Sequence, residues 1–576
     1  MKRRWWYAAV VLTLLLSSAQ AADMGKTLHV VLQNGETILD PAQASDINTL
    51  SVIENIYDAP LRYDYLARPV AVRPSLLDAL PTISADQKTY TLKLRSGIHF
   101  TPDPAFGSAP RTLTATDLAY SIQRHYDPSL KSPWLFLLDG KLTGDAALKQ
   151  NRFDVDRKIP GITVIDRRTL QITLNRPDNN FLFILAMPAL SVVAREVIEA
   201  HRTLPIGTGP YVLKEWQRNT HLLLEANPDF RQVQFDDAGD AAPAIKRALQ
   251  GKQLPLIGRI DIRVVEEQQA RVLGFLHGDF DALDPLPAPL AGLVLDGTRL
   301  KPALAQRGIA LTLLPMMELD YLWMNMQDAV LGGYTPARIA LRRAIGLAYN
   351  RQEDIGTLSK GLALAAQSPL PPNVRGYDPA LPKTAEFNPA LARALLDRFG
   401  YRVDPGTGWR RQPDSSPLVL KMHSLASTTG RLRDELWRRS LSQIGLNVVF
   451  ENGQFSDLLK AARLGKVQMM DAEWIGDFPD AQNFFQLLYG PNQGSANRAR
   501  FALPAYDRLY EAADQLPDSP ARRALYTQMN QLILGYAPWV MRSFPLWAIL
   551  QQPWLLNYQR HPVMNTAWRY LDIAPH

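Results

Sequence analysis

The sequence contains no cysteine among its 576 residues. This absence excludes a disulfide framework, a thiolate metal site and a thiol nucleophile. It also leaves no cysteine near the N-terminus to carry a lipid, so we expect a mature protein without a lipid anchor. We predict neither a metal site nor a cofactor.

Long hydrophobic runs are scarce as well. One apolar stretch, residues 5–16, follows three basic residues at positions 2–4 and precedes the small-residue cleavage pattern AQA at positions 19–21. Residues 1–21 are therefore predicted to be a secretory signal peptide, because the stretch is shorter than the roughly 20 residues that cross a bilayer. An uncleaved membrane anchor is the alternative. The other long run, residues 181–194, is interrupted by Pro188 and is predicted to be buried core.

A strong charge of one sign is lacking too. The chain has 63 Lys and Arg against 56 Asp and Glu, a formal charge of +7. Loss of the three bases in the predicted signal peptide would leave 60 basic side chains and a charge of +4. So weak a balance, with scattered bases, argues against a nucleic-acid partner. The length and the 46% of hydrophobic residues suffice for two or three domains with their own cores.

Motifs for catalysis are missing. The nine histidines form no HExxH motif and no pair at helical metal-ligand spacing. There is no GxSxG elbow, no P-loop and no strand-linked GxGxxG. We predict that the protein is not an enzyme.

What is present is a mixture of short strands and helices. Alternating apolar residues predict strands near positions 28–32 and 90–94, and a hairpin whose turn covers 166–169. Thr114 and Asp117 predict a capping box, while Thr335-Pro336 and Ser519-Pro520 predict the starts of two further helices. The chain is therefore predicted to be α/β. In the motif GTGPY, residues 207–211, the glycines are expected to permit positive φ and Tyr211 to pack inward.

One acidic cluster stands out, formed by Asp471, Glu473, Asp477 and Asp480 with Trp474 and Phe478 between them. Paired carboxylates could perform acid and base chemistry on a glycoside. The alternative is a strand and turn whose acids face water.

Several segments in order resemble the family 5 extracellular solute-binding proteins, which include oligopeptide- and dipeptide-binding proteins of ABC importers. The resemblance covers nearly all of the mature chain. The matching segments are LDP at 39–41, LTATDLAYS at 113–121, GTGPY at 207–211 followed by Trp216, GDFDA at 278–282, Asn325, and the two-base helix at 338–351.

The resemblance implies a two-lobed periplasmic binding protein-like fold (type II, cluster C) with a small inserted domain. Lobe I would comprise residues 22–63, 180–318 and 545–576. The inserted domain would cover residues 64–179, and lobe II residues 319–544. Such lobes close around a ligand by a hinge motion.

The resemblance also implies a ligand site. The segment Trp474-Ile475-Gly476-Asp477 resembles the family's W-x-x-D element, whose Asp binds the α-ammonium of a peptide. Backbone around Glu473 and Ile475 would pair with the extended ligand. Trp474 would cover the first ligand residue.

Two aromatic residues are further candidates. Phe455 lies where oligopeptide binders have an aromatic ligand contact, and Trp134 lies where they have a contacting Tyr. For both residues, ordinary core packing is the alternative.

One departure from the family pattern bears on the ligand. Two residues before Glu473 the oligopeptide binders carry an Arg that meets a peptide carboxylate, whereas this chain has Asp471. The sequence therefore predicts a more anionic site. The ligand could be a cationic peptide, an amide-terminated or amine-rich compound, or a molecule whose far end binds elsewhere.

The sequence thus predicts a monomeric periplasmic protein that captures short peptides by lobe closure and delivers them to ABC permease subunits in the inner membrane. One alternative is a binder of another solute, such as haem, a metal complex, glutathione or an amine-rich compound. A secreted hydrolase using Asp471 and Asp477 is a second, and a peptide-sensing or chaperone role without transport is a third.

Overall fold

The computed structural model describes residues 22–36, 38–149, 152–201, 205–382, 384 and 386–576. The predicted signal peptide, residues 1–21, lies outside the described residues. Among the described residues, no helix has the length and apolar character that would let it span a membrane.

The strands are short, as the alternating patterns predict. In chain order they are β1 Asp23–Leu32, β2 Leu61–Tyr63, β3 Val72–Pro74, β4 Thr82–Ile83, β5 Thr89–Lys93, β6 Ile162–Asp166, β7 Thr169–Thr173, β8 Tyr211–Gln217, β9 His221–Ala226, β10 Val233–Gln234, β11 Gln253–Leu254, β12 Ile257–Val264, β13 Ala282–Leu283, β14 Leu295–Asp296, β15 Arg299–Leu300, β16 Ala310–Pro315, β17 Glu318–Met324, β18 Ala363–Ala365, β19 Val419–Leu425, β20 Asn447–Gly453, β21 Met469–Ile475, β22 Trp539–Gln551, β23 Leu555–Leu556 and β24 Asp572–Ile573.

The helices alternate with these strands and are of short to medium length. They are α1 Ile47–Ile56, α2 Ala115–Gln123, α3 Phe181–Ile184, α4 Arg195–His201, α5 Pro243–Leu249, α6 Gln268–His277, α7 Ala291–Val294, α8 Pro302–Gln306, α9 Pro336–Ala348, α10 Arg351–Thr357, α11 Pro389–Arg398, α12 Thr428–Ser442, α13 Phe455–Arg463, α14 Gln482–Phe485, α15 Pro504–Asp514 and α16 Pro520–Tyr536.

Three sheets carry the architecture. One has the order β1-β12-β9-β8, a second has the order β4-β5-β7-β6, and the largest has the order β13-β22-β17-β21-β19-β20 with β16 and β18 also paired to β22. The largest sheet is mixed, since β19 runs parallel to both β20 and β21 while β17 runs antiparallel to β21. The predicted hairpin is confirmed as the antiparallel pair β6 and β7.

The predicted helix starts are confirmed by their caps. The carboxylate of Asp117 accepts a 2.8 Å hydrogen bond from the backbone N–H of Thr114, as one half of a complete capping box. The side chain of Thr335 caps α9, and that of Ser519 accepts from the backbone N–H of Arg522 at the start of α16. These side chains satisfy N–H groups that have no partner within the helix.

The long strand β22 links two parts of the molecule. Its first half pairs with β17, and its second half pairs with β16 and β13. The change of partner occurs near Ser543 on β22 and, on the segment that pairs with it, between the end of β16 at Pro315 and the start of β17 at Glu318. These positions lie beside the predicted lobe boundaries at 318/319 and 544/545, which remain predictions together with the other domain limits.

The motif GTGPY differs in part from the expectation. Tyr211 is fully buried, as predicted. Gly207 and Gly209, however, are not among the residues with positive φ, so that prediction was wrong. A Cβ atom on Gly207 would lie 2.1 Å from the carbonyl oxygen of Ile56, and one on Gly209 would lie 2.6 Å from that of Asn55. These glycines are required because two backbone segments approach closely.

Candidate functional site

Strand β21 has one edge that is only partly paired with another strand. On one side β17 pairs with all of it, from Met469 to Ile475. On the other side β19 pairs only with Met469 and Met470. Among the described residues, positions 471–475 therefore have a ladder partner on one edge only. Unpaired backbone groups on a strand edge are a template for an added extended chain.

The end of this strand holds Trp474 and Asp477 in a single hydrogen-bonded unit. The amide of Asn483, which is 0% exposed, accepts from the indole Nε1 of Trp474 at 2.8 Å and from the backbone N–H of Asp477 at 3.2 Å. Its Nδ2 donates to Oδ2 of Asp477 at 2.9 Å. Asn483 thus orients both residues of the W-x-x-D element, which the sequence reasoning did not foresee.

The carboxylate of Asp477 has no cationic partner among the described residues. No ion pair within 4.0 Å involves it among the residues that the structure describes. Burial raises the pKa of Asp477, while the hydrogen bond from Asn483 opposes that rise. A partly buried carboxylate that accepts only amide hydrogen bonds can bind an incoming ammonium group.

The neighbouring residues anchor the turn that carries Asp477. Asp480 is 0% exposed and forms a two-pronged ion pair with Arg522, at 2.7 and 3.1 Å. Phe478 packs into the hydrophobic core that otherwise runs from Leu61 to Val197. The turn is therefore fixed both to α16 and to a core formed by an N-terminal part of the chain.

Asp471 has a different environment from Asp477. It lies 3.2 Å from Nε of Arg542 and accepts a 3.0 Å hydrogen bond from the indole of Trp437. Arg542 also pairs with the buried Asp354. The charge of Asp471 is thus compensated within the protein, so the anionic character predicted from this residue has to come from other side chains.

Those side chains are Glu318, Asp320 and Glu473, which each place one carboxylate oxygen within 4.8 Å of an oxygen of the other two. Asp320 is directly opposite Glu473 in the ladder between β17 and β21, and it accepts a 2.7 Å hydrogen bond from Ser543. Burial, with Asp320 and Glu473 adding to it, raises the pKa of Glu318 to about 8. Desolvation, with the charge of Asp320 adding to it, also raises the pKa of Glu473, although this residue is exposed at the surface. Carboxylates this close either retain protons or face a positive group.

Sequence reasoning missed Glu318 and Asp320. Their signal is an acid at alternate positions of an otherwise apolar strand, Glu318-Leu319-Asp320, which places both acids on one face. Their proximity to Glu473 follows only from the strand register.

The two aromatic candidates differ in exposure. The side chain of Phe455, the first residue of α13, is 57% exposed, so the core alternative is wrong for this residue. Trp134 is partly buried between two hydrophobic cores, and its indole donates a 2.6 Å hydrogen bond to the carbonyl of Ala44. The structure thus leaves Phe455 available to a ligand and gives Trp134 a packing role.

A cavity of about 380 Å³ is lined in part by residues of β1 and β13 and by the second half of β22. Its lining includes His29, Asp46 and Trp547. Trp547 is four residues beyond Ser543 on β22, in the half of the strand that pairs with β16. Glu318, Asp320 and Glu473 are not among the residues that line this cavity.

Comparisons with known proteins identify the family of the chain. The model of bacterial extracellular solute-binding proteins, family 5 Middle, matches residues 71–496. Di/tripeptide-binding protein 2 of Pseudomonas aeruginosa (strain UCBPP-PA14) is 25% identical over 569 residues, covering 96% of each chain. Heme-binding protein A of Haemophilus influenzae is 25% identical over 480 residues, covering 81% of this chain and 78% of the relative.

A solved structure shows the same fold. HbpA2 from Haemophilus parasuis superposes with a TM-score of 0.76 at 20% identity, covering 95% of this chain and 100% of the other. The chain belongs to the family 5 bacterial extracellular solute-binding proteins and has their two-lobed periplasmic binding protein-like α/β fold.

Proposed function

We propose that this protein captures short peptides in the periplasm by their α-ammonium group and delivers them to ABC permease subunits in the inner membrane. The observation that carries the proposal is the carboxylate of Asp477, oriented by Asn483 and without a cationic partner among the described residues. A carboxylate about 4 Å from an ammonium contributes on the order of 4 kcal/mol at an effective dielectric near 20. This contact recognises the amino terminus of the peptide and does not depend on its side chains.

The free edge of β21 supports an extended ligand. An extended peptide has an unpaired donor and acceptor at each residue, and both need partners when water is excluded. Residues 471–475 have one edge without a strand partner in the described part of the chain. A peptide that begins at Asp477 and runs along Ile475 and Glu473 would complete that ladder, in the manner of β-addition.

Lobe closure is the proposed means of excluding water. Strand β22 and the segment between Pro315 and Glu318 both cross from one set of strand partners to the other. Two crossings at one place suit a hinge, in which a few residues absorb the change of backbone angle. Glu318 and Ile475 lie opposite each other in the ladder beside this crossing, so the end of β21 is next to the proposed hinge.

The three carboxylates of Glu318, Asp320 and Glu473 favour a ligand with a second positive group. A cationic peptide satisfies both this cluster and Asp477. An amine-rich compound that is not a peptide is the second candidate, because the same two acidic positions would hold it. Relatives are named for di/tripeptides and for heme, so family membership alone does not choose among ligands.

Mass spectrometry of the ligand that co-purifies tests this proposal. The full chain, purified from a periplasmic extract without refolding, should release unmodified short peptides with free amino termini when it is denatured. Peptides enriched in Lys and Arg would favour the cationic class, and a polyamine would favour the second candidate. Release of haem, or of a ligand without an amine, would contradict the proposal, and conversion of added peptide to fragments would favour a hydrolase.

A further inference from the structure

A second cavity, of about 590 Å³, lies outside the candidate peptide site. It lies between the strand pair β10 and β11 and the chain around Pro74 and Arg95. None of the residues that line it also lines the cavity that contains Trp547. The charged residues of its lining are Arg62, Arg95, Arg231, Lys252, Arg569 and Asp236.

Three of the arginines in this lining are compensated by carboxylates. Arg62 contacts Asp236 at 2.7 Å and Asp237 at 2.5 Å. Arg231 contacts the buried Asp58 at 2.7 Å, and Arg569 lies 3.7 Å from the same aspartate. One carboxylate, that of Asp58, therefore compensates two arginines.

Two cations in the lining have no carboxylate partner in the described part of the chain. Arg95 uses its Nε to donate a 2.7 Å hydrogen bond to the carbonyl of Leu77, and no ion pair involves its guanidinium. Lys252 is exposed and has no ion pair either. Arg73, beside the cavity, shares Asp236 with Arg62 at 3.4 Å.

The neighbourhood thus has an excess of positive charge. Six cations, four of them paired, lie in or beside the cavity, and their partners are only three carboxylates, those of Asp58, Asp236 and Asp237. The excess remains when Glu54, which interacts electrostatically with Arg569, is counted. The lining also includes the amide side chains of Gln232, Gln234 and Gln253, which can donate hydrogen bonds.

This composition suits an anion. A concave surface with uncompensated cations concentrates counter-ions, and a guanidinium presents paired N–H groups that match a carboxylate or phosphate. We propose that this cavity binds a small molecule with at least two negative charges, carried by phosphate or carboxylate groups, and that Arg95 and Lys252 are its principal contacts.

Calorimetry with defined anions tests the inference. The full chain is titrated at low ionic strength with inorganic phosphate and with citrate, beside the double variant Arg95→Gln/Lys252→Gln. A matched control is Arg402→Gln/Lys466→Gln, which removes one arginine and one lysine that are exposed and have no ion pair in the described part of the chain. We expect at least tenfold weaker anion binding in the first variant and less than twofold change in the control.

Peptide affinity separates this inference from the proposed function. The Arg95→Gln/Lys252→Gln variant should bind peptides within about twofold of the parent protein, because its residues lie outside the peptide site. Unfolding curves that match the parent would show that the variant is folded. Absence of binding by either anion, or equal loss in both double variants, would overturn the inference. Binding to vesicles with anionic lipid but not to free anions would also overturn it.

Discussion

Asn483 and Asp477 are joined by two hydrogen bonds. Nδ2 of Asn483 donates to the Asp477 carboxylate at 2.9 Å, and Oδ1 accepts from the Asp477 backbone N–H at 3.2 Å. The same Oδ1 accepts from the indole of Trp474. One buried amide therefore sets the positions of both side chains that we propose to meet the ligand's first residue.

Replacement of Asn483 should weaken binding without direct loss of a ligand contact. In Asn483→Ala the carboxylate and the indole lose their orienting partner, so we expect peptide affinity to fall by about 1–2 kcal/mol. The buried donors left behind should lower the free energy of unfolding by about 1–3 kcal/mol. Calorimetry measures the peptide affinity, and urea unfolding measures the free energy of unfolding. An unchanged affinity in a folded variant would show that Asn483 does not position Asp477 for binding.

The ion pair between Asp480 and Arg522 should be strongly coupled. Arg522→Met leaves a buried carboxylate without its partner, and we expect a loss of about 3–5 kcal/mol in the free energy of unfolding. The double variant Asp480→Asn/Arg522→Met removes the isolated charge and should recover part of that loss. Urea unfolding of Arg522→Met, Asp480→Asn and the double variant gives the coupling free energy between the two side chains. Additive losses would mean that the pair does not stabilise the turn beside Asp477.

Close backbone contact predicts a large effect at Gly207. Its Cβ would lie 2.1 Å from the carbonyl oxygen of Ile56, so Gly207→Ala should destabilise the protein by about 2 kcal/mol or more. Gly535 in α16 has open space at its Cβ position and is the matched control. Gly535→Ala should be neutral or stabilise by up to about 1 kcal/mol. Equal effects of the two substitutions on thermal unfolding would contradict the packing argument.

Glu318 should make stability depend on pH. Its pKa is about 8 in the folded protein, above the ordinary glutamate value of 4.5, so the folded state binds a proton that the unfolded state has released. Between those two values stability falls as pH rises. Glu318→Gln should therefore increase the free energy of unfolding at pH 9 by about 2 kcal/mol, less than the full shift implies because the side chain is only half-buried.

The control for Glu318 is the same comparison at low pH. At pH 4, below the ordinary glutamate value of 4.5, this group is mostly protonated in both states of the parent, so Glu318→Gln should have little effect there. Urea unfolding of the parent and of Glu318→Gln at pH 4 and at pH 9 measures the change in the free energy of unfolding at each pH. A stabilisation that is equal at pH 4 and pH 9 would arise from packing and not from the raised pKa.

Local features of the fold could be predicted from the sequence, because their causes are local. The caps at Thr335 and Ser519 follow from a polar side chain before proline. The α/β class and the two-lobed fold were also predicted, and they are confirmed by the family and by the solved structure.

The composition of the site could be predicted only in part, because it depends on strand register and on distant partners. Glu318 and Asp320 reach Glu473 only through the pairing of β17 with β21. Asp471 meets its compensating charge, Arg542, from β22. The glycines of GTGPY were identified as special, but their contact with the segment around Ile56 is not visible in the sequence. The roles of Asp477, Trp474, Ile475, Glu473, Phe455, Trp134 and Asp471 toward a ligand stay predictions.

The most direct measurement compares a free and an N-acetylated tripeptide, such as Ala-Ala-Ala, by calorimetry on the parent protein, on Asp477→Asn and on the control Asp296→Asn. Asp296 is exposed and makes no side-chain hydrogen bond or ion pair in the described part of the chain. The parent and the control should bind the free peptide much more tightly than the acetylated one.

In Asp477→Asn the affinity for the free peptide should fall by about 2–5 kcal/mol, and the preference for a free amino terminus should vanish, because the ammonium loses its charge partner. If Asp477→Asn still prefers the free peptide by the same factor as the parent protein, the ammonium is recognised elsewhere and Asp477 is not its partner.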